Sequence, residues 1–115
     1  MELVNDRFGI YDRTGAAVST GTTASLTGDS SGSLTDPQII WDPATSRFYY
    51  VIVSLNTTNL VDVGFSKTDT PSSAADWCKY QADYGFGSDL PDFPKLGDLT
   101  THLLIGVDKI GRAHV

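Results

Sequence analysis

A single cysteine, Cys78, stands in 115 residues, so no disulfide can form within the chain. Histidine occurs twice, at His102 and His114, and neither is spaced with another His or Cys as a zinc site requires. Eight Lys and Arg face fourteen Asp and Glu, a formal charge of −6. Nucleic acid calls for a basic face that displaces counterions, so this balance argues against that partner, and against docking on anionic lipid. No apolar run approaches the ~20 residues that span a bilayer. Met1-Glu2-Leu3-Val4 has neither the basic start nor the apolar stretch of a secretory signal, so in a secreted protein the signal is expected upstream. Helical patterning is also missing. No window repeats its apolar residues at three- and four-residue intervals, although Ser72 to Asp76 has room for one short turn.

What is present suits strands. Hydrophobic residues make up 40% of the chain, too many for disorder throughout. Gly, Ser, Thr and Asp are abundant, as in short strands joined by polar turns. Alternation and turn chemistry predict strands over 3–11, 16–26, 37–42, 47–55, 60–67 and 76–83. Asp12-Arg13-Thr14-Gly15 reads as a turn, with Asp first and Gly last, where positive φ is easily reached. Gly28 to Ser33 reads as a flexible loop, and Asp42-Pro43-Ala44-Thr45-Ser46 as a turn. Phe48 to Val53 is strongly β-forming. From Leu60 to Ser66, Leu60, Asp62, Gly64 and Ser66 alternate with Val61, Val63 and Phe65. Four antiparallel strands linked by short turns are therefore expected between residues 37 and 84.

A spaced repeat accompanies the pattern. Asp92 follows Asp36 by 56 positions (92 − 36), and the same offset pairs Ile40 with Leu96, Asp42 with Asp98, Phe48 with Leu104 and Val51 with Val107. Four-stranded units recurring at ~40–50 residues mark propeller blades.

Thr35-Asp36-Pro37, then Trp41-Asp42 and Ser46-Arg47-Phe48-Tyr49, resembles a blade opening in secreted bacterial β-propellers of the sialidase-like, BNR-type family. Val63 to Thr68 is similar to that family's third strand and Trp77-Cys78-Lys79-Tyr80 to its fourth. Pro91 to Gly97 resembles the opening of a following blade, and Val4-Asn5-Asp6 with Ile10-Tyr11-Asp12 the end of a preceding one. The resemblance implies an all-β piece of a larger propeller. Residues 1–26 would end one blade, 27–35 form a loop, 36–84 make a complete four-stranded blade, and 85–109 start the next. Ile110 to Val115 is similar to a translated sequencing adapter, which would make 110–115 a non-native tail. The remaining blades of the longer protein would then be this chain's partners. Sialidase Asp boxes, Ser-x-Asp-x-Gly-x-Thr-Trp, are absent, and no catalytic residue is assigned. The resemblance implies a secreted or extracellular module that binds or scaffolds glycans or cell-surface proteins. A sialidase-like glycoside hydrolase and a purely structural blade array are the alternatives.

Asp36 and Asp92 are the candidate ligand-binding residues, because the resemblance places both in loops on a propeller's ligand face. Such acids bind Ca²⁺ or sugar hydroxyls. Equally, Asp near Pro forms turns by accepting backbone N–H bonds, and this reading takes precedence at both Asp36 and Asp92. Asp89, Asp92 and Asp98 form a short acidic series that suits Ca²⁺ in its oxygens but lacks EF-hand spacing. Arg47 is expected to pair with Asp42 across the turn or to shield the edge of the sheet, before gripping a ligand carboxylate. Tyr49, Tyr50, Trp77 and Tyr80 read as core or cross-strand aromatics before sugar platforms. Cys78 has no His near it in sequence and reads as a small buried hydrophobe.

Overall fold

The computed structural model describes residues 1–99 and 101–110. Strands account for 56% and helices for 7%, so the protein is all-β. Strands β1 (Glu2–Leu3), β2 (Arg7–Tyr11) and β3 (Ala17–Thr22) form one antiparallel sheet in chain order. A single helical turn, α1 (Thr23–Thr27), leads to β4 (Ser33–Asp42), β5 (Arg47–Leu55), β6 (Leu60–Ser66) and β7 (Trp77–Ala82). These four make a second sheet, again in chain order and antiparallel throughout. Strands β8 (Leu90–Asp98) and β9 (Leu103–Ile110) pair as a hairpin. Among the described residues the sheets do not close into a barrel or ring.

Three departures from the sequence reading have local causes. The strand expected over 3–11 breaks into β1 and β2, because the chain turns at Val4 to Asp6 and Val4 N–H donates to Arg7 O at 3.0 Å. The strand expected over 16–26 stops at Thr22. Thr22 Oγ1 caps α1 by accepting from Ser25 N at 3.1 Å, and Gly28 ends the turn at φ 70. Capping chemistry here overrides the β propensity of a Thr-rich run. Strand β4 starts at Ser33, four residues early, because a bulge between Thr35 and Gln38 carries the ladder past Pro37, which has no N–H to donate. The expected short turn falls at Ala74–Asp76. Of the adapter-like stretch, Ile110 pairs with Leu90, and residues 111–115 lie outside the described residues.

The second sheet is the middle layer. Strand β5 is hydrogen-bonded on both edges, to β4 and β6. On one face its Tyr50 and Ile52 join Phe8 and Ile10 of the first sheet, Leu26 of α1 and Trp77 of β7 in one buried cluster. The Tyr50 and Trp77 rings are 5.6 Å apart. On the opposite face Val51 and Val53 are sealed from water. Gln38, paired with Val51, accepts a bond there from Leu96 N at 2.7 Å, which seats β8 against β4 and β5. Asn59 ties the β5–β6 turn to the segment before β8, through Asn59 N to Gly87 O at 2.6 Å and Asn59 Nδ2 to Asp89 O at 2.9 Å.

Gly64 pairs with Tyr50, whose ring lies where a Cβ at 64 would stand. Gly64→Ala is expected to destabilise the fold by about 1–3 kcal/mol through overpacking. Gly106→Ala, which meets open space, is expected to stay within about 0.5 kcal/mol of wild type. Urea denaturation checks both. Equal midpoints for Gly64→Ala and wild type would mean that the ring is free to move aside.

Candidate functional site

The acids singled out in sequence are not gathered into one cluster. Asp36 is exposed at φ 52, in the bulge of β4. Its backbone N–H donates to Asn5 Oδ1 at 3.1 Å, and its carboxylate accepts from Thr35 Oγ1 at 3.4 Å. Backbone conformation, more than the carboxylate, makes this turn. The same left-handed region explains why Asp stands there, since Asp and Asn adopt it at low cost. Asp36, Pro37 and Gln38 meet Pro94 around a hollow of about 180 Å³. Asp92 is half-buried at the bulge of β8. Asp89 pairs with Lys109, carboxylate to ammonium, at 3.4 Å. Asp98 pairs with Leu103 at the far end of β8; its side chain lies outside the described residues. Six residues of strand separate the backbones of Asp92 and Asp98 by roughly 20 Å. No three His, Cys, Asp or Glu converge as a metal site among the described residues.

Turn chemistry read from the sequence is present elsewhere. Asp12 Oδ1 accepts from Thr14 N, Thr14 Oγ1 and Ala16 N at 2.8, 2.6 and 3.1 Å, and Gly15 takes φ 88. Asp42 accepts from Ala44 N at 3.1 Å and Thr45 Oγ1 at 2.6 Å. Arg47 donates to the carbonyls of Ser46 and Thr45 at 2.9 and 3.3 Å. Tyr50 and Trp77 are core residues. Tyr49, Phe65 and Tyr80 form a ladder across β5, β6 and β7 with ring centroids 6.0 and 6.1 Å apart, and Tyr80 is 58% exposed. Cys78 is a free, half-buried thiol.

The site with unusual chemistry is one that sequence reading missed. Asp29 follows α1, and Asp62 lies on β6, opposite Ile52 of β5 and Gln81 of β7. Asp29 is saturated with donors. Its Oδ1 accepts from Ser31 N and Ser31 Oγ at 2.9 and 2.6 Å, and its Oδ2 from Ser54 Oγ and Gln81 Nε2 at 2.6 and 2.8 Å. Asp62 is only 2% exposed, and neither oxygen receives a hydrogen bond. Both acids line a cavity of about 300 Å³ with Thr27, Ser31, Lys79 and Gln81.

Environment drives the two acids apart. Burial pushes the Asp62 carboxyl up to about 8; the neighbouring Asp29 carboxylate and its negative charge add to the rise, while the Gln81 amide opposes it. Burial pushes Asp29 upward as well, but the nearby Asp62 carboxyl and the bonds from Ser31 and Ser54 outweigh it and hold Asp29 well below the usual carboxylate range. A proton on Asp62 beside an ionised Asp29 would remove the cost of an unpaired buried charge. Tyr50, raised by burial and then by the Asp62 charge, keeps its proton.

Asp62 was invisible because its residue type fits a solvated face of alternating polar residues. The readable signal was one strand away. A strand as continuously apolar as Tyr49 to Val53 is buried on both faces, so the polar face of its neighbour has to turn inward with it.

Asp62 binds its proton more tightly folded than unfolded. Its stabilising contribution is therefore complete below about pH 4 and is lost as pH rises towards 8. With a chelator present, the unfolding free energy is expected to fall from pH 5 to 8 by up to about 1.4 kcal/mol per pH unit, and the melting temperature with it. Asp62→Asn, which keeps a donor for Asp29, should flatten that slope. An unchanged slope in the variant would place the titration elsewhere.

Among the described residues, no helix is long and apolar enough to cross a membrane. Comparison with protein-family models, curated proteins and solved structures finds no match to this chain.

Proposed function

We propose that the chain is part of an extracellular β-propeller of the sialidase-like kind, which binds or scaffolds glycans or proteins. In this reading β4 to β7 are one blade, β1 to β3 end the blade before it, and β8 with β9 opens the blade after. The observation that carries it is a repeat in register. Moved by 56 positions (92 − 36), Leu34↔Ser54 becomes Leu90↔Ile110, Trp41↔Phe48 becomes Gly97↔Leu104, and Asp42↔Arg47 becomes Asp98↔Leu103. Both hairpins also bulge at the corresponding place, between Thr35 and Gln38 and between Asp92 and Lys95. Stacked antiparallel units of this sort bury each sheet against its neighbours, which is how propellers are built. The ladder of Tyr49, Phe65 and Tyr80 lies on the Val51 face of the middle sheet, where two further strands of a following blade would pack. Asp36 and Asp92, at the paired bulges, are the residues proposed to meet sugar hydroxyls.

A panel of immobilised sialylated and neutral glycans, probed with the full chain and with an Asp36→Asn, Asp92→Asn double variant, tests the reading. Asn tolerates the φ of Asp36, so the variant removes charge while keeping the turn. Binding by wild type, about tenfold weaker in the variant, is expected, with no release of sugar from a fluorogenic sialoside. Sugar release would make the protein a hydrolase instead. Binding to no glycan would count against a glycan ligand, and equal binding by the variant would move the ligand away from these loops.

A further inference from the structure

We propose that Asp62, Asp29, Ser54 and Gln81 form a calcium site between the α1–β4 loop and the middle sheet. Two features point to an occupant. Asp62 is 2% exposed and faces the cavity with both oxygens unpartnered. A buried carboxylate with no donor calls for a proton or a cation. The second feature is the Tyr50 hydroxyl, also buried and without a partner, which lies across Gly64, two residues along β6 on the same face. Buried polar oxygen thus collects beside Asp62 without anything to satisfy it.

The surrounding groups can change role. Ser54 Oγ and Gln81 Nε2 both donate to Asp29 Oδ2, at 2.6 and 2.8 Å. Rotating the Ser54 hydroxyl and flipping the Gln81 amide turns both into oxygen acceptors without moving the backbone. With Asp29 Oδ2 and the two Asp62 oxygens, the cluster then offers about five oxygens, and water in the cavity supplies the rest of the six to eight that Ca²⁺ takes. Mg²⁺ suits the site less, because it demands near-ideal octahedral geometry and gives up its water reluctantly. Lys79 also lines the cavity, exposed to solvent, and its charge opposes the cation. Affinity is therefore expected in the weak range of extracellular modules, a Kd of about 0.1–1 mM.

The test is a melting curve of the full chain at pH 8 in 5 mM CaCl₂, in 5 mM MgCl₂ and in EDTA. Calcium is expected to raise the melting temperature by about 5 °C over EDTA, and magnesium to do little. Asp62→Asn should abolish the rise. Terbium, excited through Trp77 and Tyr50, gives a second readout: sensitised emission in wild type, displaced by calcium and absent in Asp62→Asn. Identical wild-type melting in calcium and EDTA overturns the proposal and leaves a shared proton as the occupant. So does a calcium rise that survives in Asp62→Asn, since the ion would then bind elsewhere. Were Asp62→Asn not to fold, the wild-type melts and the calcium displacement of terbium decide.

Discussion

Strand β5 is buried on both faces and paired on both edges, and the rest of the molecule follows from that. Tyr50 and Ile52 point one way, Val51 and Val53 the other, and all four are sealed from water. At roughly 25 cal/mol per Å² of apolar surface buried, side chains of this size supply much of what opposes chain entropy in so small a protein. They do so only if a layer lies on each side. The first sheet and α1 cover one face, and β8 packs over β4 and β5 on the other. A single four-stranded sheet with this central strand would expose apolar surface to water and would not persist alone.

Much of this was legible because local chemistry and tertiary demand agree in the middle of the chain. Phe48 to Val53 has β propensity and two-sided apolarity at once, and the turn at Asp42 to Ser46 carries its own hydrogen bonds. Register from β4 to β6 follows from short turns, whereas a longer loop carrying the turn at Ala74–Asp76 joins β6 to β7. Legibility failed where two local signals competed. Thr22 to Thr27 has strand composition but a helix cap at each end, and the caps decided it. Asp36 was legible as a turn residue, yet the turn is made through φ more than through its carboxylate.

The Asp29 and Asp62 pair shows why sites hide from sequence. The residues are 33 positions apart (62 − 29), and nothing in either neighbourhood announces the other. Only when β6 docks between β5 and β7 does Asp62 meet the loop behind α1. Core formation therefore comes first physically, and the altered acidity of Asp62 is its consequence. The same order holds for the repeat. Five spaced matches in sequence are thin, but the two hairpins share most of their partner pairs at that offset and bulge in the same stretch.

Amide hydrogen exchange across the chain tests most directly whether β5 is the centre of this structure. Peptides covering residues 49–55 are expected to be the slowest to exchange, opening only with global unfolding, while those covering 1–11 and 103–110 exchange faster. Exchange in 49–55 as rapid as in 1–11 would mean that β5 is not sealed between two layers, and the arrangement described for both of its faces would have to be abandoned.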